Sequence, residues 1–517
     1  MGVKGMQKQY GRVRMSQMNF ASSIVTRLVT MVTSFVSRTV FVKTLGAEYL
    51  GLGGLFGNIF SVISLCELGL GAAIAQSLYK PLAIGDDRKT AAVVAYYSRC
   101  TRIIAVITLL LSLCAFPFLG NIIKSEIDAG EIRAAFLMFS LHTVVSYLLL
   151  PKRTLIVCDQ KMYVTSAFRS VFSVIALFSQ IVALEMTGSY LVYLAIRIVV
   201  IVAEDVAVNI YADKNYSCLG NVSYVDREYK KSIFSNVRAL MWHKMGGTLS
   251  RSTDSLLLTL FVGLAGMGKY SNYALVIGTV GSFFDAAVGA VSASVGNLGA
   301  GDRGKKSEWI MRKMYFINFW LVTSGACVLI CCVNPVVRLW LGEEMCFSNT
   351  ECAVIVASFF ASCIRDPVQI FLNTYGLFRQ SRFIPVLRAA ANLVLSVILV
   401  KKIGVAGVFL GTVLSTLLVP MPLEVAVLYK YGFSMSPREF VKKELLPYLF
   451  FSPLCGAACF ALTIKIPVSA TGVAVRVAVS LIVSNCLMYL CFCACPLYGE
   501  CFEMVSGMGR RMLKRDK

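Results

Sequence analysis

Basic side chains lie inside stretches of sequence that are otherwise apolar. In the first such stretch Arg27 and Arg38 are eleven residues apart, which places them on one face of a helix, about 16 Å apart along its axis. Lys244 and Arg251 repeat this pattern seven residues apart, and Asp254 follows on the same side. Because the planar arginine fork donates paired hydrogen bonds to phosphate or carboxylate, these residues predict the binding of an anion.

Further basic side chains extend this set, and they outnumber the acids near them. The candidate cationic substrate-binding site consists of Arg27, Arg38, Arg169, Arg197, Lys244, Arg251, Arg365 and Arg388. An ionisable group at membrane depth is costly, so it normally faces protein or water and marks a pathway. A structural alternative stays open: Arg365 could pair with Asp366. Arg251 could likewise pair with Asp254, and Arg27 could reach the headgroup region.

Four acidic side chains in apolar stretches are candidates for ion coupling or gating. They are Glu67, Asp254, Asp285 and Asp366. Glu67 and Asp285 each precede a Gly/Ala-rich helical turn that permits close helix approach. They could bind a coupling proton or sodium ion, or they could be hydrogen-bonded groups that brace a helix. Asp366 precedes Pro367, which removes a backbone donor and predicts a kink. Glu204 and Asp205 admit both interpretations as well.

The sequence predicts no catalytic residue, no metal site and no bound cofactor. The 18 cysteines are scattered, mostly within apolar segments, and His142 and His243 are the two histidines. A metal site would need paired cysteine spacings together with histidines, so the cysteines are interpreted as small apolar packing residues. Segments outside the apolar stretches do not exceed roughly 25 residues, too few for an enzymatic domain.

The elements that must position these side chains are membrane-spanning helices. Hydrophobic residues make up 57% of the 517 residues, more than one soluble core can bury, and charged residues make up 15%. About fourteen apolar stretches approach the ~20 residues that a spanning helix needs. They are 21–42, 50–78, 91–119, 133–152, 163–185, 189–211, 236–262, 270–297, 309–334, 352–374, 384–400, 404–429, 446–464 and 472–495. The predicted fold class is an all-α polytopic membrane protein of about 14 transmembrane helices.

The distribution of charge predicts the orientation. With the amino terminus inside, about 30 of the 50 Lys and Arg residues fall in cytoplasmic segments and about 8 fall outside. Both termini are therefore predicted to be cytoplasmic. The net charge of +22 reflects this bias, and the basic carboxyl-terminal tail is expected to lie against anionic headgroups of the lipid bilayer, with no nucleic acid as partner.

An internal repeat with an offset of about 217 residues relates two parts of the chain. The alignment pairs Gly46 with Gly263 and Glu67 with Asp285, together with prolines and bases elsewhere. A repeat unit of about six helices keeps both copies in the same orientation, as in transporters built from parallel repeats. Two pseudo-symmetric lobes are thus predicted to enclose a basic cleft that opens to either side by rocking.

The predicted organisation follows from the repeat and the spans. It consists of a cytoplasmic amino-terminal tail (1–20), an N-lobe of helices 1–6 (21–211), a cytoplasmic inter-lobe loop (212–235), a C-lobe of helices 7–12 (236–430), two extra helices 13 and 14 (431–495) and a basic cytoplasmic tail (496–517).

Several motifs resemble polysaccharide-biosynthesis flippases of the Wzx type. They are RTVFVKTLGAEYLGLGGLF, PKRTLIVCDQKMY, STDSLLLTLFVGL, KYSNYALVIG, SVGNLGAGD and NLVLSVILVKKIGVAGVFLGTVLS. Together they span roughly residues 20–420, so the likeness covers both lobes. That family belongs with multidrug exporters and lipid II flippases in the MATE/MOP superfamily of two-lobed transporters.

The resemblance implies a function. Such proteins move undecaprenyl-diphosphate-linked oligosaccharide repeat units from the cytoplasmic to the outer leaflet of the bacterial inner membrane, for O-antigen, capsule or exopolysaccharide synthesis. The basic cleft would receive the diphosphate and the sugars, while the polyprenyl tail stays in the bilayer. The family's cationic cavity corresponds here to Arg27, Arg38, Arg251 and Arg388. A polysaccharide polymerase or assembly machinery is the protein partner that the resemblance implies.

Other interpretations stay open. A lipid II flippase or a multidrug or metabolite exporter would share the fold, although an exporter of cationic drugs should favour acids and aromatic residues in its cleft. A membrane polysaccharide polymerase is less favoured, because the longest outer loop, about 335–351, is too short to build a catalytic site. The predicted class is therefore a transporter and not an enzyme.

Overall fold

The computed structural model describes residues 3–67, 69–123, 125–220, 252–298 and 304–501, and every regular element in these ranges is helical. Nine helical segments in these ranges are long and apolar enough to cross a membrane. They are Gln17–Ile63, Asp87–Phe118, Ala129–Cys158, Met162–Thr187, Lys305–Leu341, Asn349–Thr374, Phe378–Phe433, Arg438–Thr463 and Ala470–Phe492. The predicted all-α polytopic fold is confirmed.

Residues up to Gly268 form the first of two compact units. Its helices are α1 (Val3–Ile63), α2 (Leu70–Ile84), α3 (Asp87–Ala115), α4 (Leu119–Ile122), α5 (Ala129–Cys158), α6 (Met162–Thr187), α7 (Tyr190–Asn215), α8 (Ser252–Val262) and the start of α9 (Leu264–Leu298). Helix α1 packs along α6, and α5 packs against α3 and α7. Asp86 and Asp128 begin α3 and α5, because each carboxylate accepts a hydrogen bond from a first-turn N–H.

Small polar side chains join α1 to α6. Thr26 Oγ1 donates to the carbonyl of Ser166 at 3.0 Å and lies 2.8 Å from Ser170 Oγ. Two turns earlier, the Asn19 side-chain amide bonds to the backbone on either side of the α6 start: it donates to the Gln160 carbonyl at 2.7 Å and accepts from the Tyr163 N–H at 2.8 Å. Such hydrogen bonds hold helices together where burial of apolar surface supplies little drive, as in a membrane.

The second unit begins at Lys269 and has α10 at its centre. Its helices after α9 are α10 (Lys305–Leu341), α11 (Asn349–Cys363), α12 (Asp366–Thr374), α13 (Phe378–Ser381), α14 (Ile384–Leu418), α15 (Pro420–Val427), α16 (Arg438–Phe440), α17 (Leu446–Thr463) and α18 (Ala470–Phe492). Helix α10 contacts α11, α17 and α18. Phe319 of α10 stacks on Tyr448 of α17 with ring centroids 3.9 Å apart, inside an aromatic core.

At three places the helices differ from the predicted spans or are kinked, and each place has a cause in the backbone. The predicted span 50–78 is wrong as one continuous helix, because a 3-10 turn at Ser64–Glu67 and Gly69, with φ of 83°, separate α1 from α2. The kink predicted at Pro367 is present as the break between α11 and α12. The predicted spans 384–400 and 404–429 meet at a kink inside α14, where Gly404 has a positive φ.

Residues 221–251, 299–303 and 502–517 lie outside the described residues. The inter-lobe loop falls largely in the first of these ranges and the basic tail in the last. The predicted domain boundaries and the cytoplasmic placement of both termini therefore stay predictions.

Candidate functional site

Two glycines that the repeat alignment pairs have the same unusual backbone. Gly46 kinks α1 with a φ of 82°, and Gly263, between α8 and α9, has a φ of 92°. Glycine adopts this left-handed region without the steric penalty that a side chain imposes. The conformation that these positions share supports the internal repeat inferred from the sequence.

The segments after these two glycines contact each other through a reciprocal pair of glycines. A Cβ at Gly51 would clash with the backbone carbonyl of Leu264, and a Cβ at Gly268 would clash with that of Ala47. Leu264 and Gly268 are the repeat equivalents of Ala47 and Gly51, each at the same offset of 217 residues. The contact is therefore the kind that two equivalent segments make across a local two-fold axis.

A cavity of about 270 Å³ lies between α1, α5 and α7 in the first unit. Its wall carries Arg197 and His142, the hydroxyls of Ser61 and Ser64, and the ring of Phe139 among further small and apolar residues. Among the described residues that line this cavity, Arg197 is the one whose side chain carries a permanent charge. The arrangement suits an anion, because one guanidinium and several weaker donors face a wall of low polarity.

A second arginine is close to the first. Arg38 of α1 is half-buried and lies within electrostatic range of Arg197 and of the Tyr193 hydroxyl, and His142 lies within range of Arg197. In the described part of the chain no carboxylate forms an ion pair with Arg197. Because the two guanidinium groups repel each other, an anion placed between them would be stabilised by both.

The structure distributes the other predicted residues over both units. Arg27 is exposed on α1, and Arg388 is half-buried on α14. Asp254 is buried on α8, and Asp366 begins α12. Glu67 lies in the 3-10 turn before α2, where its carboxylate and the Tyr97 hydroxyl leave little room above Gly71. Lys244, Arg251 and the side chain of Asp285 lie outside the described residues.

Arg169 belongs to a network of ion pairs that joins α5, α6 and α7. Arg153 lies 2.6 Å from Glu204 and 3.0 Å from Asp205, while Arg169 lies 3.7 Å from the second oxygen of Glu204. Glu204 is buried, and the two arginines supply its ion-pair partners in the described part of the chain. The sequence analysis missed Arg153, although it lies in the motif PKRTLIVCDQKMY beside the helical Pro151.

Arg365 forms a buried ion pair in the second unit. Its Nε and Nη2 donate to the two carboxylate oxygens of Glu424 at 3.1 and 2.6 Å, and both side chains are less than a tenth exposed. Gln369 adds a 3.4 Å hydrogen bond to Glu424. The sequence offered Asp366 as the alternative partner and did not single out Glu424. The two hydrogen bonds of this guanidinium connect α12 to α15. This bidentate contact indicates that Arg365 has a structural role.

Three buried thiols meet between α10 and α17. Cys327, Cys455 and Cys459 place their sulfur atoms within 4.8 Å of one another, a cluster of possible metal ligands found among the described residues. The Cys327 and Cys455 sulfurs are 3.6 Å apart. The sequence predicted no metal site because Cys327 is 128 residues from Cys455, so spacing along the chain does not reveal the cluster.

Comparison with known proteins identifies the fold. No protein-family model matches the chain, and no curated protein matches its sequence. A multidrug resistance MATE family transporter of the MOP superfamily, in an inward-facing conformation, is 14% identical over 79% of this chain and 97% of its own, with a TM-score of 0.62. The lipid II flippase MurJ, in an inward closed conformation, is 11% identical over 92% of this chain and 98% of its own, also with a TM-score of 0.62.

A mutant of the Vibrio cholerae MATE transporter VcmN is 17% identical, covers 84% of this chain and 99% of its own, and gives a TM-score of 0.56. The chain therefore has the fold of MATE/MOP superfamily transporters and of MurJ. These structural neighbours are transporters and flippases, not enzymes.

Proposed function

We propose that the chain is a flippase. It moves undecaprenyl-diphosphate-linked oligosaccharide repeat units from the cytoplasmic to the outer leaflet of the inner membrane, for O-antigen, capsule or exopolysaccharide synthesis. The observation that carries this proposal is the cavity at Arg197, with Arg38 and His142 close by and no described carboxylate paired to Arg197. The motifs shared with Wzx-type flippases and the fold shared with MurJ support it.

The size and the charge of the cavity suit the diphosphate. A cavity of about 270 Å³ is slightly smaller than the roughly 300–1,000 Å³ of pockets for drug-sized ligands, so it suits a diphosphate better than a whole oligosaccharide. Arginine binds such a group through paired hydrogen bonds. In the proposal the sugars extend beyond this cavity, and the polyprenyl tail stays in the bilayer.

Transport in this proposal proceeds by alternating access. With both termini cytoplasmic, as the charge distribution predicts, Gly46 and Gly263 fall at the outer ends of their helices. The contact that Gly51 and Gly268 make with the opposite carbonyls then closes the outer side, and it must separate before the cargo is released. Asp254, Glu67 and Asp285 are the proposed sites for a coupling proton or sodium ion.

The proposed cationic substrate-binding site contains fewer residues than the site predicted from the sequence. Arg38 and Arg197 form its described centre, and Arg27, Lys244, Arg251 and Arg388 are retained from the sequence. Arg169 and Arg365 are assigned to ion pairs with buried glutamates.

Charge changes at Arg197 test the proposal. In a strain that lacks its polysaccharide flippase, wild type is expected to restore surface polysaccharide, and Arg197→Ala or Arg38→Ala to lower it at least ten-fold, the loss of one charge-assisted contact. Arg197→Lys keeps the charge and should retain part of the activity, whereas Arg197→Glu should abolish it. Surface polysaccharide is measured at matched membrane levels of each variant.

Arg102→Ala is the matched control, since Arg102 is an exposed arginine on α3, away from the cavity. If Arg197→Glu supported wild-type polysaccharide, the anion site would be refuted. If wild type itself failed in several such strains yet inserted normally, another cargo of the superfamily would have to be considered.

A lipid II flippase is the second candidate, favoured by the 92% of this chain that the MurJ structure covers. It shares the diphosphate and therefore the proposed anion site. Rescue of cells depleted of their lipid II flippase, without rescue of surface polysaccharide, would select it. The absence of a described acid in the Arg197 cavity disfavours an exporter of cationic drugs.

A further inference from the structure

The cysteine triad has the dimensions of a three-sulfur metal site. Cys455 and Cys459 are one turn apart on α17, and Cys327 faces them from α10. Sulfurs bound at ~2.3 Å to one ion in a plane lie about 4 Å apart. The sulfur atoms here are already within 4.8 Å of one another, with one pair at 3.6 Å, so small side-chain movements would complete the site.

A positive charge without a described counter-charge lies about one helical turn away. Three arginines in the described residues are buried: Arg312 pairs with Glu444, Arg365 pairs with Glu424, and Arg476 of α18 forms no ion pair there. The guanidinium of Arg476 donates hydrogen bonds to the carbonyls of Ile466 and Cys331, which offset part of the desolvation cost of a buried charge but do not neutralise it. Its Nε also has no hydrogen-bond acceptor among the described atoms.

Backbone contacts connect Arg476 to the triad. Pro335 lies inside α10 and has no N–H, so the Cys331 carbonyl lacks its usual helical donor. Arg476 donates to that carbonyl at 3.4 Å. Cys331 follows Cys327 by one turn, and Cys459 lies 3.7 Å from the carbonyl of Ser480, one turn after Arg476. Arg476 thus lies about one helical turn beyond the triad, on the side of Cys331, and opposite charges attract over such a separation in a protein interior of low dielectric.

A cavity comes to within about one helical turn of the cluster. Its volume is about 420 Å³, and its wall includes Arg476, Cys331 and Phe460, which follows Cys459 in α17. Asn334, Ser348 and the ion pair of Arg338 with Glu343 add polar and charged groups near the end of α10. A hydrated ion could enter this cavity and lose its water one turn short of the thiols.

We propose that Cys327, Cys455 and Cys459 bind one soft divalent metal ion of the Zn²⁺ and Cd²⁺ class, with Arg476 as the counter-charge. Binding breaks three S–H bonds, releases three protons to water and forms three metal–sulfur bonds. Three thiolates and a divalent ion leave one negative charge, which the single positive charge of Arg476 balances. Thiolate ligands select such ions over hard cations. The bound ion would cross-link α10 to α17 beside α18. This structural role does not depend on which cargo is transported.

Cadmium binding to the full-length purified protein tests this site. The phosphine-reduced protein is titrated with Cd²⁺, and bound metal and the thiolate-to-metal charge-transfer band are measured after gel filtration. Wild type is expected to hold one more ion per chain than Cys327→Ser, Cys455→Ser or Cys459→Ser. Arg476→Gln is expected to keep the same stoichiometry but to weaken Cd²⁺ binding at least ten-fold, because the site then has an uncompensated charge.

Cys332→Ser is the matched control, since Cys332 is a buried thiol of α10 outside the triad. It should bind like wild type. Equal cadmium binding in wild type and Cys459→Ser would overturn the proposal, and so would an equal loss in Cys332→Ser. X-ray absorption is measured on wild type loaded with one Cd²⁺, so its result does not depend on whether a variant folds. Three sulfur neighbours of the ion support the site, and mainly oxygen neighbours refute it.

Discussion

Alanine at Gly268 is expected to lower transport by about five-fold or more while the protein still inserts into the membrane. The added Cβ would overlap the carbonyl of Ala47, and a helix backbone cannot yield as a flexible side chain does. Overpacking of this kind costs about 1–3 kcal/mol. In a two-state equilibrium that cost lowers the population of the closed conformation about 5- to 150-fold.

The reciprocal contact makes the same prediction for Gly51→Ala, because its Cβ would overlap the Leu264 carbonyl. The double variant should be no more active than either single variant, since one clash already separates the segments. Gly278→Ala is the control: Gly278 lies on the same α9, and a Cβ there has no neighbour within 4 Å. Surface polysaccharide in the complemented flippase-deficient strain reports activity.

A second readout distinguishes a shifted equilibrium from simple unfolding. A cysteine introduced at Ala47 should react faster with a membrane-impermeant thiol reagent when Gly268 is alanine than when it is glycine. Mass spectrometry identifies which cysteines have reacted, so that labelling at position 47 is distinguished from labelling of the natural cysteines. If Gly268→Ala transported as well as Gly278→Ala, the glycine contact would have no part in the transport cycle.

The fold could be predicted from the sequence because few backbone structures are stable inside a membrane. Apolar stretches near the length of a bilayer crossing must be helices, since every backbone group needs an internal partner. The repeat was visible because glycines with special backbone roles, such as Gly46 and Gly263, survive where apolar residues interchange. The break between α1 and α2 was not predicted, since Ser64–Glu67 lies between two apolar runs and is short enough to be taken for continuous helix.

The composition of the site was partly predictable, but its contacts were not. Arg38 and Arg197 could be selected as cations in apolar stretches, yet their proximity depends on how α1 packs against α7. Glu424 was overlooked because its partner Arg365 is 59 residues away, and the cysteine triad joins residues 128 apart. Partners at such separations follow from helix packing, which a single sequence records only indirectly.

Removing Arg365 alone is expected to destabilise the protein by about 3–5 kcal/mol. In Arg365→Met the buried Glu424 would keep, among the described residues, the weak hydrogen bond from Gln369 but no ion-pair partner. The midpoint of thermal unfolding in detergent should fall clearly. By contrast, Arg338→Ala removes an ion pair with Glu343 that is largely exposed, so it should cost less than about 1 kcal/mol.

The double variant Arg365→Met with Glu424→Leu decides what Arg365 does. Replacing both charges by apolar groups of similar size removes the unpaired acid, so stability should return to near the wild-type value. If surface polysaccharide returns together with stability, the role of Arg365 is to connect α12 to α15, since methionine could not replace a residue that binds the substrate. If stability returns but transport does not, the guanidinium contacts the cargo as the sequence first indicated, and Glu424 holds it in place for that contact.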